Sequence, residues 1–192
     1  LALKSAVDNN VILKNTIENV RLPKFEHKEE RVLSIDEQDK LLAQARADSN
    51  SAAFGIVLML FTGLRRGELL ALQWSDIDFK NKSIYISKSM NRLPDYESSD
   101  RKSKIVIGTT KTGTSRRTVP LLNGIFDELL LHKEKQKNAM AEKGLLQKND
   151  TYIITNRNFN IFEPKGFEKV VKRIIKESGI ASANIHSFRH SF

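Results

Sequence analysis

Apolar positions along the chain follow two periods, one helical and one strand-like, and the switches between them divide the sequence into elements. Leu3, Val7, Val11, Ile12 and Ile17 form a loose helical stripe over residues 1–20. Arg21 to Glu30 then carries one proline and a run of charges with little apolar pattern, the composition of a linker. Ser34-Ile35-Asp36-Glu37 is a capping-box pattern, in which the serine oxygen takes an orphan amide and the glutamate reaches back. The helix it opens is predicted to run to about Ala47. Ser51 to Phe61 is apolar on nearly every side, as a buried central helix must be. A short amphipathic turn, Leu69-Leu70-Ala71-Leu72, follows.

The middle of the chain changes to β-branched runs: Ser83 to Ser87, Lys104 to Ile107, and Arg117 to Val119. Thr112-Gly113-Thr114 predicts a hairpin turn between the last two runs, with Lys111 near its tip. Met90 to Ser103, which contains Pro94, reads as a mobile polar excursion from the sheet. Helices are predicted over about 123–141 and 164–178, the second ended by Gly179, with a short apolar run at Tyr152 to Ile154 between them. Asn184 is a fair N-cap for a last helix that holds His186 and Arg189. The expected class is α+β and mainly α, with one small three-stranded antiparallel sheet.

Charge narrows the partners. Thirty-two Lys and Arg against 23 Asp and Glu leave a net charge of +9 and a pI near 9.7. That excess suits nucleic acid or an anionic membrane surface, or serves solubility alone. With 40% apolar and 29% charged residues the chain has the composition of a folded domain, not a disordered one. The absence of Cys excludes disulfides, thiolate metal sites and Cys nucleophiles. The four histidines, His27, His132, His186 and His190, show no zinc-protease spacing, so no metal site is expected. Ala52 to Phe61 falls well short of the ~20 residues of a membrane span, and the first residues carry no secretory signal pattern. The expectation is a cytoplasmic protein.

Four features stand out as candidate chemistry: Thr62-Gly63-Leu64-Arg65-Arg66-Gly67-Glu68, Lys111, Ser115-Arg116-Arg117-Thr118-Val119-Pro120, and His186-Ser187-Phe188-Arg189. In this order and at these separations they resemble the tyrosine recombinases, the family that includes integrases of phages and conjugative transposons. The resemblance implies that residues 1–22 are the last helix of a core-binding domain and 23–31 a linker. Residues 32–192 are then a catalytic domain whose C-terminal part is missing. Family members move a DNA phosphodiester between alcohols through a 3′-phosphotyrosine, without a metal or other cofactor. Positive side chains must then hold the non-bridging oxygens as charge builds in the transition state. A guanidinium suits that task because it stays charged and offers a planar fork.

By resemblance Arg65 and Arg189 are that clamp, and Glu68, three residues after Arg65, orients it. Lys111 protonates the departing 5′ oxygen. His186 lies on one helical face with Arg189 and donates to a phosphate oxygen or shuttles a proton near neutral pH. Lys104, Arg116 and Arg117 are expected to contact the DNA backbone or solvent. Arg66 is assigned to structure or a backbone contact, His190 to packing or hydrogen bonding, and Trp74 to the core.

The family pattern places the nucleophilic tyrosine after the second arginine. The three tyrosines, Tyr85, Tyr96 and Tyr152, all precede Arg189. The resemblance therefore implies a chain that binds double-stranded DNA without exchanging strands. It also implies a monomeric fragment of a parent that works as a tetramer on two duplexes. Two other readings remain open. One is a non-catalytic DNA-binding module that has degenerated from the same family. The other, more distant, is a metal-free phosphohydrolase that uses His186.

Overall fold

The computed structural model describes residues 2–18, 20, 31–96, 103–109, 116–181 and 183–190, with the backbone alone at His186, Arg189 and His190. Helix α1 (Ala2–Asp8) is shorter than the stripe over 1–20 predicts, and it buries none of its residues. The cause is local. Asn10 takes a left-handed φ of 58°, Val11 N–H bonds Ala6 O at 2.8 Å, and Asn10 N–H bonds Val7 O at 2.9 Å. These paired bonds close the helix as a Schellman motif. Val11, Leu13 and Ile17 beyond it are exposed.

The core is built on α3 (Ser51–Thr62), which is buried along most of its length, including Ala52, Ala53 and Ile56 to Leu60. Around it pack α2 (Ile35–Ala47), α4 (Arg66–Ala71), α5 (Asn123–Ala141), α6 (Pro164–Glu177) and α7 (Ile185–His190). The capping box of α2 forms as expected: Glu37 N–H donates to Ser34 Oγ at 3.2 Å, and Ser34 N–H donates to Glu37 Oε2 at 3.0 Å. Trp74 is in the core, and its indole N–H donates to buried Gln136 Oε1 at 2.7 Å. Among the described residues no helix is long and apolar enough to cross a membrane.

The sheet has three antiparallel strands, but not the three expected. Strands β1 (Ile77–Asp78), β2 (Ser83–Ile86) and β5 (Arg117–Pro120) pair in the order β1-β2-β5. The run at 104–107 lies in β4 (Ser103–Thr109), which pairs with β3 (Lys88–Pro94) in a separate two-stranded ribbon. Residues 90–94 are therefore strand and not excursion, and the expected pairing of 104–107 with 117–119 does not form. Burial explains the choice. Ile84 opposite Val119 turns both side chains into the core, whereas Ile105 and Ile107 of β4 are only half-buried. Pro94 sits at the end of a strand with a single neighbour, where a missing N–H is tolerated. The turn at 112–114 and Lys111 lie outside the described residues.

Gly67 marks a close approach of ribbon and core. A β-carbon built there would lie 2.5 Å from Ser89 Oγ and 2.6 Å from the Met90 carbonyl oxygen. In an open helix Gly→Ala gains about 1 kcal/mol. Here the overlap with β3 is expected to reverse the sign, so that Gly67→Ala lowers stability by about 1–2 kcal/mol. The denaturant midpoint checks this, and a raised midpoint would mean that β3 does not lie against α4.

Candidate active site

Two turns of backbone deliver Arg65. Helix α3 ends at Gly63, whose left-handed φ of 59° reverses the chain and whose N–H bonds Met59 O at 3.0 Å. Leu64 then plugs the core with no exposed surface. Arg65 follows in an extended conformation (φ −73°, ψ 149°) as the N-cap of α4. The apolar plug fixes the backbone, so the next side chain emerges at a fixed place. More than half of it, 57%, is exposed.

Glu68, one helical turn later, is almost fully buried at 2% exposure. Each of its carboxylate oxygens accepts two hydrogen bonds. Oε1 takes Arg65 Nη1 at 2.9 Å and Arg117 Nη1 at 3.0 Å. Oε2 takes the Arg65 backbone N–H at 2.8 Å and Arg117 Nη2 at 2.9 Å. The four acceptor positions of an ionised carboxylate are thereby filled. Burial pushes the Glu68 carboxyl upward, but the hydrogen bonds from Arg117, the Arg65 backbone and the Arg65 guanidinium outweigh it. The net effect holds the group below its ordinary value, as a carboxylate. Two guanidinium charges against one carboxylate leave one positive charge at the site.

Arg65 opens into a cleft of about 530 Å³ between α4 and β3 on one side and α6 and α7 on the other. Its apolar floor includes Met59, Leu64, Met90 and Val171. Arg66, Glu168 and Lys172 lie around it, and Arg66 forms an ion pair with Glu168. Asn184 and Ile185 line the opposite wall. Asn184 caps α7 as expected, with Ser187 N–H donating to Asn184 Oδ1 at 3.1 Å. Phe188, with no exposed surface, anchors α7 in the core. The cleft thus brings Arg65 beside the start of the helix that carries His186 and Arg189.

The other candidates are placed as follows. Lys111 is outside the described residues. Arg116 is exposed. Lys104 is paired with Asp95 at 3.4 Å. Arg117, expected at the DNA backbone or in solvent, instead turns inward. Opposite Ile86 in the β2–β5 register, it shares the face of Val119 and meets Glu68. The sequence held this signal in the period of two along β5, which separates Arg117 from its neighbour Arg116. His132 belongs to the core: it stacks on Phe54 with ring centroids 4.3 Å apart, and burial lowers its pKa despite a 2.9 Å contact to Ile153 O. Among the described residues no group of three His, Asp or Glu side chains is placed to hold a metal ion.

Comparison with known proteins gives the family of the chain that carries this fold and cleft. The phage integrase family matches residues 31–192, and the chain belongs to that family. A tyrosine recombinase XerC-like protein of Caldanaerobacter subterraneus is 28% identical over 97% of this chain and 50% of its own length. The ICEBs1 integrase of Bacillus subtilis is 33% identical over 97% of this chain and 48% of its own. The chain spans about half the length of these curated relatives. In fold it is similar to the Tn1549 transposon integrase in complex with a circular intermediate DNA, with a TM-score of 0.75, 20% identity, and coverage of 100% of this chain and 61% of that one. It is also similar to lambda integrase in a tetramer bound to a Holliday junction, with a TM-score of 0.61, 19% identity, and coverage of 99% and 49%.

The geometry sets an order of stability effects. Glu68→Ala leaves the half-buried Arg117 charge without its partner and should destabilise the fold on the order of 3 kcal/mol. Arg65→Ala removes a more exposed group and should cost less than about 1 kcal/mol. Urea denaturation of both variants measures the order; equal losses would mean that Glu68 is not the buried hub.

Proposed function

We propose that this chain is part of the catalytic domain of a site-specific DNA recombinase, which transfers a phosphodiester through a 3′-phosphotyrosine. The observation that carries the reading is the single cleft that receives Arg65, braced by buried Glu68, and the start of the helix bearing His186 and Arg189. The names of its relatives, a tyrosine recombinase XerC-like protein and an integrase, and the DNA in the structures of similar fold support it.

In this reading the phenol of a tyrosine gives its proton to His186 and its oxygen attacks phosphorus, a P–O(Tyr) bond forms, and the bond to the 5′ oxygen breaks. Arg65 and Arg189 hold the two non-bridging oxygens, and His186 donates a hydrogen bond to one of them. Lys111 gives a proton to the departing 5′ oxygen. Arg116 and Lys104 contact the DNA backbone, which positions the duplex without reading its sequence.

None of the chain's tyrosines is assigned the attack. Tyr85 lies on β2 at 49% exposure, on the face opposite Ile84 and Ile86. Tyr152 forms a bridge with Gln73, and burial raises its pKa, which disfavours the phenolate. Tyr96 is nearly fully exposed. In this reading the attack comes from a tyrosine other than these three, this chain supplies the clamp and binds duplex DNA, and the parent acts as a tetramer on two duplexes. The braced Arg65 favours an enzyme over a DNA-binding module that has lost its chemistry, because a module needs phosphate contacts and not a buried carboxylate to aim one of them.

In a full-length protein carrying this domain, Arg65→Ala and Arg189→Ala should each lower cleavage of nicked DNA by about 10²–10³ or more. Near-normal cleavage by either variant would sink the clamp. Lys111→Ala should be impaired on ordinary DNA and rescued on a substrate whose leaving oxygen is replaced by sulfur, because a thiolate departs without a proton. Absence of rescue would remove Lys111 as the acid.

A further inference from the structure

We infer that Arg117 is a positioning residue for phosphoryl transfer: by sharing Glu68, it keeps Arg65 both aimed and electrostatically available. This rests on the functional reading of Arg65 above. Glu68 has four acceptor positions, and Arg117 fills two of them with a parallel pair of N–H bonds, Nη1 to Oε1 at 3.0 Å and Nη2 to Oε2 at 2.9 Å. Arg65 fills the other two, one through its guanidinium and one through its backbone N–H. The carboxylate is therefore fixed in rotation, and the Arg65 guanidinium holds it through a single nitrogen.

The charge count carries the argument further. With Arg117 present, one carboxylate is shared by two guanidinium groups, and a net positive charge remains for an incoming phosphate. Without it, Arg65 would be the only cationic partner of this buried carboxylate among the described residues. Glu68 would then neutralise Arg65 and compete with the phosphate for its N–H groups. Arg117 is 29% exposed on the core-facing side of β5, and its fork is turned to Glu68. Its effect on DNA is thus exerted through Arg65 and not by direct contact.

The test is single-turnover cleavage of nicked duplex DNA by the full-length protein, together with the dissociation constant for intact duplex over a range of salt. Arg117→Ala should slow cleavage at saturating DNA by about 10²-fold, the scale of a misplaced catalytic group. Duplex affinity should stay within about threefold and its salt slope unchanged. Arg117→Lys keeps the charge and loses the fork, and should recover about tenfold of that loss. Adding Glu68→Gln to Arg117→Ala removes the competing charge while keeping the shape, and should also restore part of the rate.

A merely structural Arg117 predicts the reverse for that pair, with the double variant slower than the single one, and this would overturn the inference. Weakened binding with a salt slope reduced by about one would overturn it in favour of a direct phosphate contact. If Arg117→Ala fails to fold, Arg117→Lys decides alone: a parental cleavage rate, or a loss confined to affinity, rejects the role. Arg65→Ala is run alongside. Were it to cleave normally, the recombinase reading would fail and this inference with it. With Arg65→Ala inactive and Arg117→Ala at the parental rate, only this inference fails.

Discussion

A carboxylate taken out of water needs its charge matched and each oxygen bonded, and Glu68 meets both needs only through groups drawn from two distant parts of the chain. Arg65 comes from the turn after α3, and Arg117 comes from the start of β5. The pair therefore ties the helical core to the sheet at one buried point. The protein meets the penalty of burying the charge with four hydrogen bonds, and what it obtains is a fixed direction for Arg65. The same pairing leaves a positive charge beside a cleft whose far wall begins the helix of His186 and Arg189.

The rest of the fold can be read as support for that point. The left-handed turn at Gly63 and the buried Leu64 set where α4 starts. Gly67 lets β3 lie against α4, which closes one side of the cleft. The Ile86–Arg117 register carries Arg117 to the face on which Glu68 waits. Each is a backbone constraint acting on a charged side chain several residues away, which is how a small domain holds a guanidinium still while leaving it open to solvent.

Much of this was legible in the sequence, for reasons that differ by element. The capping box at Ser34, the all-round apolar run after Ser51 and the N-cap at Asn184 are local signals, and the helices they predict are present with nearly the expected bounds. The spacing of Arg65 and Glu68 also announced their contact. Strand partnership was not legible, because Ile105-Val106-Ile107 and Arg117-Thr118-Val119 have equal strand character and the choice depends on burial against residues far away. The end of α1 was hidden because an asparagine in a left-handed turn interrupts an apolar stripe that otherwise continues. The inward turn of Arg117 was hidden for a similar reason. Beside Arg116 it looks like one of two equivalent surface cations, and only the alternation along β5 distinguishes the inward one.

The most direct test of the account is the titration of Glu68 itself, followed by the carbon-13 shift of its side-chain carboxyl as the pH is lowered. A group held by two guanidinium groups and a backbone amide must titrate below the ordinary glutamate value and stay ionised throughout the neutral range. A midpoint at or above the ordinary value would mean that burial prevails over the hydrogen bonds. The brace on Arg65 would then not exist as described.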